Sequence, residues 1–373
     1  MSITSEVWQG ADLFLQRIDN DIFNDTIAHW EDEQRDDECS VGSNITCFAT
    51  TSDICSRDGT SMNIELESYG ETNVDLVGLQ VWRGAFFLAD FIIMNSEQFF
   101  GKHVLELAAG TGITSIVATL VGKDQLHATS GSLICTDVDR GPILPLIRRN
   151  FQRNSITHKS SALDPTGYAR LPVKIAEIDF FNEETYNGTP HRTSEQENIP
   201  EKTNHPARTA LNENLEGDAE RKKLLSYEEL QNVDIIMAAD VVYDEKITSA
   251  FFKCLKTLCD ISLTKVRSKS ENRIGGRKCL NIYLAIEKRC HVTRLKDRSN
   301  SDQNIVCPSS QTTNPVIAPN YEIFLNLLDS FIAIYRDKGL VCEMEEIRPS
   351  DVVQSFCCYE RVDELCLFKI TID

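Results

Sequence analysis

The chain has 373 residues, a formal net charge of −19 at pH 7 and 41% hydrophobic side chains. That is enough apolar material for a packed core, and an acid excess that excludes a surface built to neutralise nucleic-acid phosphates. Thirteen cysteines without a CxxC pair or framework spacing point to a reducing compartment, and no apolar run approaches the roughly 20 residues of a membrane span. Cys290 beside His291 and the adjacent Cys357 and Cys358 lack a second ligand pair at finger-like spacing, so no metal is expected. The N-terminus has no positive region ahead of an apolar segment. A soluble protein of the nucleus and/or cytoplasm is the expectation.

Length over roughly 150 residues per domain allows two domains, but polar insertions inflate the length and one core domain is expected. Residues 1–60 read as an acidic, poorly ordered segment, with the run Glu31, Asp32, Glu33, Asp36, Asp37 and Glu38 solvated. The domain proper is read over 61–373. Met62, Ile64 and Leu66 alternate as a strand does, and the next segment places Trp82, Ala85, Phe86, Ala89, Ile92 and Ile93 on one helical face.

The stretch VLELAAGTG, residues 104 to 112, is the most informative. Val104, Leu105 and Leu107 form an apolar run that stops at small residues, and Ile113, Ile116, Val117, Leu120 and Val121 recur at helical spacing. Strand, tight turn and helix follow. Glycines 110 and 112 let the backbone turn and leave room for a ligand near the helix N-terminus. The third glycine of a dinucleotide fingerprint is replaced by Ser115, which fits a nicotinamide cofactor poorly. Glu106, an acid inside an apolar strand, is costly to bury unless it meets a cation or several donors. The ammonium of S-adenosylmethionine is such a cation. A Gly-x-Gly turn alone is also common in βα units without this ligand.

A second strand, Leu133 to Cys135, ends at Asp137, where a carboxylate can accept from both ribose hydroxyls. Asp139 competes for that role, or caps the helix opened by Gly141 and Pro142. A third strand, Val173 to Ile178, ends in Asp179 and Phe180, an acid and an aromatic suited to the amine and the face of an adenine. Polar, proline-bearing insertions are read near 182–224, 265–278 and 296–319. Between them, Ile235 to Ala238 form a buried strand followed by Asp240 and Tyr243 at its carboxyl end. Asp240 suits the alignment of an amine and Tyr243 the wall of its channel, while an N-cap and a core tyrosine are the plain alternatives. A helix over 246–259, a strand Leu280 to Ile286, a helix carrying Phe324 to Tyr335, and strands Leu340 to Ile347 and Leu365 to Ile372 complete an α/β pattern.

VWRGA with Trp82, LELAAGTG, the Asp137 tip, EIDF at 177 to 180, ADVVY at 239 to 243, AIEKR at 285 to 289 and ELCLFKI together resemble the seven-strand protein-lysine methyltransferases over about residues 62 to 373. The resemblance implies a Rossmann-like sandwich with strand order 3-2-1-4-5-7-6 and an antiparallel seventh strand. It implies S-adenosylmethionine as methyl donor and a protein bearing the acceptor lysine as partner, with no nucleic acid or membrane. Trp82, the turn Ala108, Ala109, Gly110 to Gly112, Asp137, Asp179, Phe180 and Ala239 are the implied cofactor residues, and Asp240 and Tyr243 the implied catalytic pair. The family's first turn glycine is Ala108 here, and the tryptophan after Asp179 is Phe180. The same fold also admits another side chain or a small molecule as acceptor, or a weakly catalytic cofactor-binding scaffold.

Overall fold

The computed structural model describes residues 2–3, 43–49, 62–121, 131–156, 172–188, 224–264, 279–288, 290–291, 316–317, 319–356 and 358–373. The strands are β1 (Ser2–Ile3), β2 (Ser43–Ala49), β3 (Asn63–Tyr69), β4 (Thr72–Asn73), β5 (His103–Leu107), β6 (Ser132–Asp137), β7 (Val173–Glu177), β8 (Ile235–Ala239), β9 (Leu280–Glu287), β10 (Cys290–His291), β11 (Val316–Ile317), β12 (Cys342–Ile347) and β13 (Leu365–Ile372). The α-helices are α1 (Arg83–Met94), α2 (Ile113–Val121), α3 (Ile143–Arg153), α4 (Tyr227–Asn232), α5 (Glu245–Leu263) and α6 (Pro319–Asp337).

Seven strands make the central sheet in the order β12-β13-β9-β8-β5-β6-β7. β5 to β9 pair in parallel and β13 runs antiparallel to both of its neighbours. Numbered among themselves, the strands have the expected order 3-2-1-4-5-7-6. Their apolar runs are nearly continuous because each strand is covered on both faces. Val104, Ile235 and Met237 enter one core layer, and their neighbours Leu105, Ile236 and Ala238 enter the other. The first layer packs against α1 to α3 and the second against α4 to α6.

Two boundaries differ from the sequence reading. Ser43–Ala49, inside the segment expected to be poorly ordered, pairs antiparallel with β3 and buries Phe48 against Phe86 of α1. Residues 182–188, expected as the start of an insertion, fold over the third strand tip, with Tyr186 fully buried and Asn182 capping a short turn. The other expected insertion residues, 189–223, 265–278 and 296–315, and most of 1–60 lie outside the described residues.

A long-range lock holds α1. Asp90, fully buried, accepts from the amides of Ser355 (2.7 Å) and Phe356 (3.2 Å) and from the Tyr359 hydroxyl, and pairs with Arg361. These contacts fasten the β12–β13 connection to the helix that leads into the site.

Candidate functional site

β5 is flanked by β6 on one side and β8 on the other, so the chain reverses its direction of growth there and leaves a crevice at the strand tips. Ala108 (φ 50°), Gly110 (φ 58°) and Gly112 (φ 81°) turn the backbone out of β5 through left-handed positions. A Cβ on Gly110 would stand 3.0 Å from the Gly78 carbonyl oxygen, so the turn is pressed against a second backbone. Gly112 does not face the crevice. A Cβ there would meet Phe151 and Ile147 of α3, so this glycine serves the packing of the turn on that helix.

Glu106 is 1% exposed. Its carboxylate accepts from the Ser115 hydroxyl and lies near the Cys135 thiol, and burial pushes its pKa up to about 7 despite the donors of Thr114 and Ser115. Asp137, 7% exposed, accepts from the amides of Gly110 (2.7 Å) and Val138 (2.7 Å), and burial raises it to about 6. Among the described residues neither acid makes an ion pair. Two desolvated carboxylates thus share one crevice, held by hydroxyls and amides and without an ion pair of their own among the described residues. Ser115, the residue that breaks the dinucleotide fingerprint, is one of the donors that hold Glu106.

The crevice holds about 1130 Å³ of atom-free space, part of it open to solvent. Trp82, Glu106, Ala108, Ala109, Gly110, Asp137, Asp179, Phe180, Ala239, Asp240 and Tyr243 all line it. Eleven of the twelve residues singled out by sequence thus converge, Gly112 being the exception. At the third tip, the Asp179 carboxylate accepts from the Phe181 amide (2.9 Å), and the Phe180 ring packs edge-on against Phe251 at 5.5 Å. At the fourth, Asp240 has φ 52° and its carboxylate accepts from Gly84 N (2.7 Å) and Glu287 N (3.1 Å). Asp240 is not the cap of α5. That role belongs to Asp244, which accepts from the Lys246 and Ile247 amides. Likewise Asp139 does not cap α3, whose N-cap residue is Pro142.

Comparison with known proteins finds similarities over parts of this chain. Residues 60–165 match the lysine methyltransferase family. The chain is also similar to methyltransferase-like protein 22 of Mus musculus, 28% identical over 316 residues that cover 83% of this chain and 59% of that protein. The Homo sapiens protein of the same name is 32% identical over 197 residues, 52% of this chain and 38% of that one. Protein N-lysine methyltransferase METTL21A of Danio rerio is 36% identical over 78 residues, covering 21% of this chain and 31% of that one. The chain therefore spans 59% and 38% of the lengths of the first two relatives.

The lysine methyltransferase match runs from β3 through α3 and so includes Trp82, the glycine turn, Glu106 and Asp137. It also includes parts of the crevice that sequence reasoning missed. The 3-10 turn Val74–Leu79 supplies Asp75, Val77 and Gly78 to the lining and is held by Trp82, whose indole N–H donates to the Val77 carbonyl at 3.0 Å. Arg140 also lines the crevice, as does Phe181 beyond the matched residues, 64% exposed. A six-residue 3-10 turn has no apolar periodicity to announce it. The paired glycines 78 and 110 make sense only once two backbones are seen to touch.

Proposed function

We propose that the protein is an S-adenosylmethionine-dependent protein N-methyltransferase directed at a lysine ε-amine. The observation that carries this reading is the pair of buried carboxylates, Glu106 and Asp137, in one crevice, neither of them ion-paired among the described residues. Such a site suits a ligand with an ammonium group and a diol. The cofactor supplies a methyl group on a cationic sulfur, so transfer asks for an aligned lone pair and no covalent protein intermediate.

Glu106 takes the ammonium end and Asp137 the ribose hydroxyls in this assignment. Ala108 to Gly110 let the backbone lie close to the ligand, while Trp82 and the Val74–Leu79 turn cover it and exclude water. Asp179 and Phe180 serve the adenine. Ala239 and Tyr243 border the side open to an acceptor, and the Tyr243 carbonyl is anchored by the Asn320 side chain at 2.8 Å. A lysine amine, with an unperturbed pKa near roughly 10.4, has to shed its proton before it attacks. Its partner is a protein, and the buried free thiols of Cys135, Cys254, Cys259 and Cys366 fit a nuclear or cytoplasmic setting.

The test joins binding to chemistry. Calorimetry should register S-adenosylmethionine and no NAD, with Asp137→Ala weakening the cofactor about tenfold or more, as loss of a charged hydrogen bond implies. Labelled cofactor with candidate proteins, followed by mass spectrometry, should place the methyl on lysine. Tight NAD binding overturns the cofactor assignment, and methyl on another side chain overturns the acceptor.

A further inference from the structure

The sequence pattern assigns Asp240 to the acceptor amine, but its geometry gives it a different employment. Helix α1 begins at Arg83, and the residue at its N-cap, Trp82, provides no side-chain acceptor for the first-turn amides. Ser, Thr, Asp or Asn normally stands there and accepts from the second or third helical amide. In α1 the second helical amide belongs to Gly84, and it donates to Asp240 Oδ2 at 2.7 Å across 156 residues of chain. The other oxygen accepts from Glu287 N at the end of β9. The backbone of Asp240 is also tied to that strand, its amide donating to the Ala285 carbonyl at 2.9 Å.

Two independent features are shaped around this contact. Asp240 stands at φ 52°, a left-handed conformation that aspartate tolerates better than most side chains, and that conformation turns its carboxylate toward α1. Gly84 leaves the space the carboxylate fills. A Cβ on Gly84 would lie 2.6 Å from Oδ2, 2.7 Å from Cγ and 2.8 Å from Oδ1. The three segments VWRGA, ADVVY and AIEKR thus meet at one side chain.

We infer that Asp240 is a positioning residue: it caps α1 in trans and fastens the start of that helix to the tips of β8 and β9. Trp82 and Ala85, at the start of α1, line the crevice, and Trp82 in turn holds Val77 of the covering turn. The carboxylate therefore sets the cover of the cofactor site through Gly84 and Trp82. This rests on the cofactor reading of the crevice, but the contact itself does not.

The experiment compares Asp240→Gly, Gly84→Ala and the double variant in the full chain. Glycine at 240 deletes the carboxylate while keeping the left-handed backbone free of strain. In the ligand-free protein, amide hydrogen exchange at 84–86 should quicken at least tenfold in each single variant. S-adenosylmethionine should bind at least tenfold more weakly, and saturating cofactor should recover most of the methyl transfer. The double variant should be no worse than Asp240→Gly alone, because the new Cβ then has the vacated space. Asp240→Asn, which keeps one acceptor, should restore part of the exchange protection and also decides the case if the glycine variant fails to fold. Unchanged exchange and unchanged cofactor affinity, with transfer down a hundredfold at saturation, would mean that Asp240 contacts the acceptor and overturn the inference. Penalties that add in the double variant would overturn it as well. If the unaltered protein binds no S-adenosylmethionine, the function proposed above fails while the exchange measurement still decides this contact.

Discussion

Two regions of the molecule bury carboxylates, and they treat them in opposite ways. On the inner side of α1, Asp90 is given a guanidinium, a phenol and two amides, so its charge is answered within the chain. Burial still raises its pKa, with Tyr359 and Arg361 pulling it back. At the strand tips, Glu106 and Asp137 are also buried, and among the described residues they receive hydroxyls, amides and the Cys135 thiol but no cation. The difference separates structure from function. An acid paired by its own chain closes a fold, whereas an acid buried without a cation keeps a place for one.

That contrast is broken most forcefully at the lock. Arg361→Met removes the cation and leaves Asp90 buried beside an apolar chain, a change that typically costs about 3–5 kcal/mol. Thermal unfolding should fall by about 10 °C, with cofactor affinity per folded molecule little changed. A shift of only a degree or two would mean that the phenol and amides suffice and that the ion pair is incidental.

The strand-tip acids should respond to pH instead. Their folded pKa values, about 7 for Glu106 and about 6 for Asp137, lie above those of exposed carboxylates. The stability linked to them is therefore fully present below the unfolded values, near roughly pH 4, and is lost as pH rises through the folded ones. The ligand-free protein should melt at lower temperature at pH 8 than at pH 5.5. Binding of a cationic ligand should run the other way, strengthening about tenfold over the same interval as the acids ionise. Glu106→Gln separates the two effects. It should raise the ligand-free melting temperature at pH 8, weaken S-adenosylmethionine, and leave only the lower step attributable to Asp137. A pH-independent affinity would show that charge at these positions does not hold the ligand.

The parallel strands were legible because burial on both faces leaves near-continuous apolar runs, and α1, α2 and α5 because apolar residues recur at helical spacing. Glu106 was legible for the opposite reason, as the one residue that violates its strand. What escaped are contacts whose partners lie far apart in the chain. Asp90 and Arg361 are separated by 271 residues, and nothing near either announces the other. Gly84 looks like an ordinary helical glycine until Asp240 is placed beside it. The capping alternatives fall away: Asp240 and Asp139 stand where caps are common, but Asp244 and Pro142 occupy the N-cap positions of α5 and α3.

The smallest expected effect lies at Ala108, where the turn departs from the glycine of the family it resembles. Its φ of 50° puts a Cβ in the left-handed region, which costs a non-glycine residue roughly 1–2 kcal/mol. Ala108→Gly relieves that strain but frees the unfolded chain, which returns roughly 0.4–1 kcal/mol of the gain. The net stabilisation should be no more than about 1 kcal/mol, a rise of about 1–4 °C in melting temperature. The side chain is half-buried, packs toward the layer that holds Leu105 and Leu107, and lines the crevice. Removing its methyl therefore also opens space where the ligand approaches the backbone. If that methyl crowds the site, Ala108→Gly tightens S-adenosylmethionine and stabilises the protein together. If the alanine instead packs usefully against the second layer, the glycine variant melts lower and binds no better, and the strain at this turn is being held in place by the core behind it.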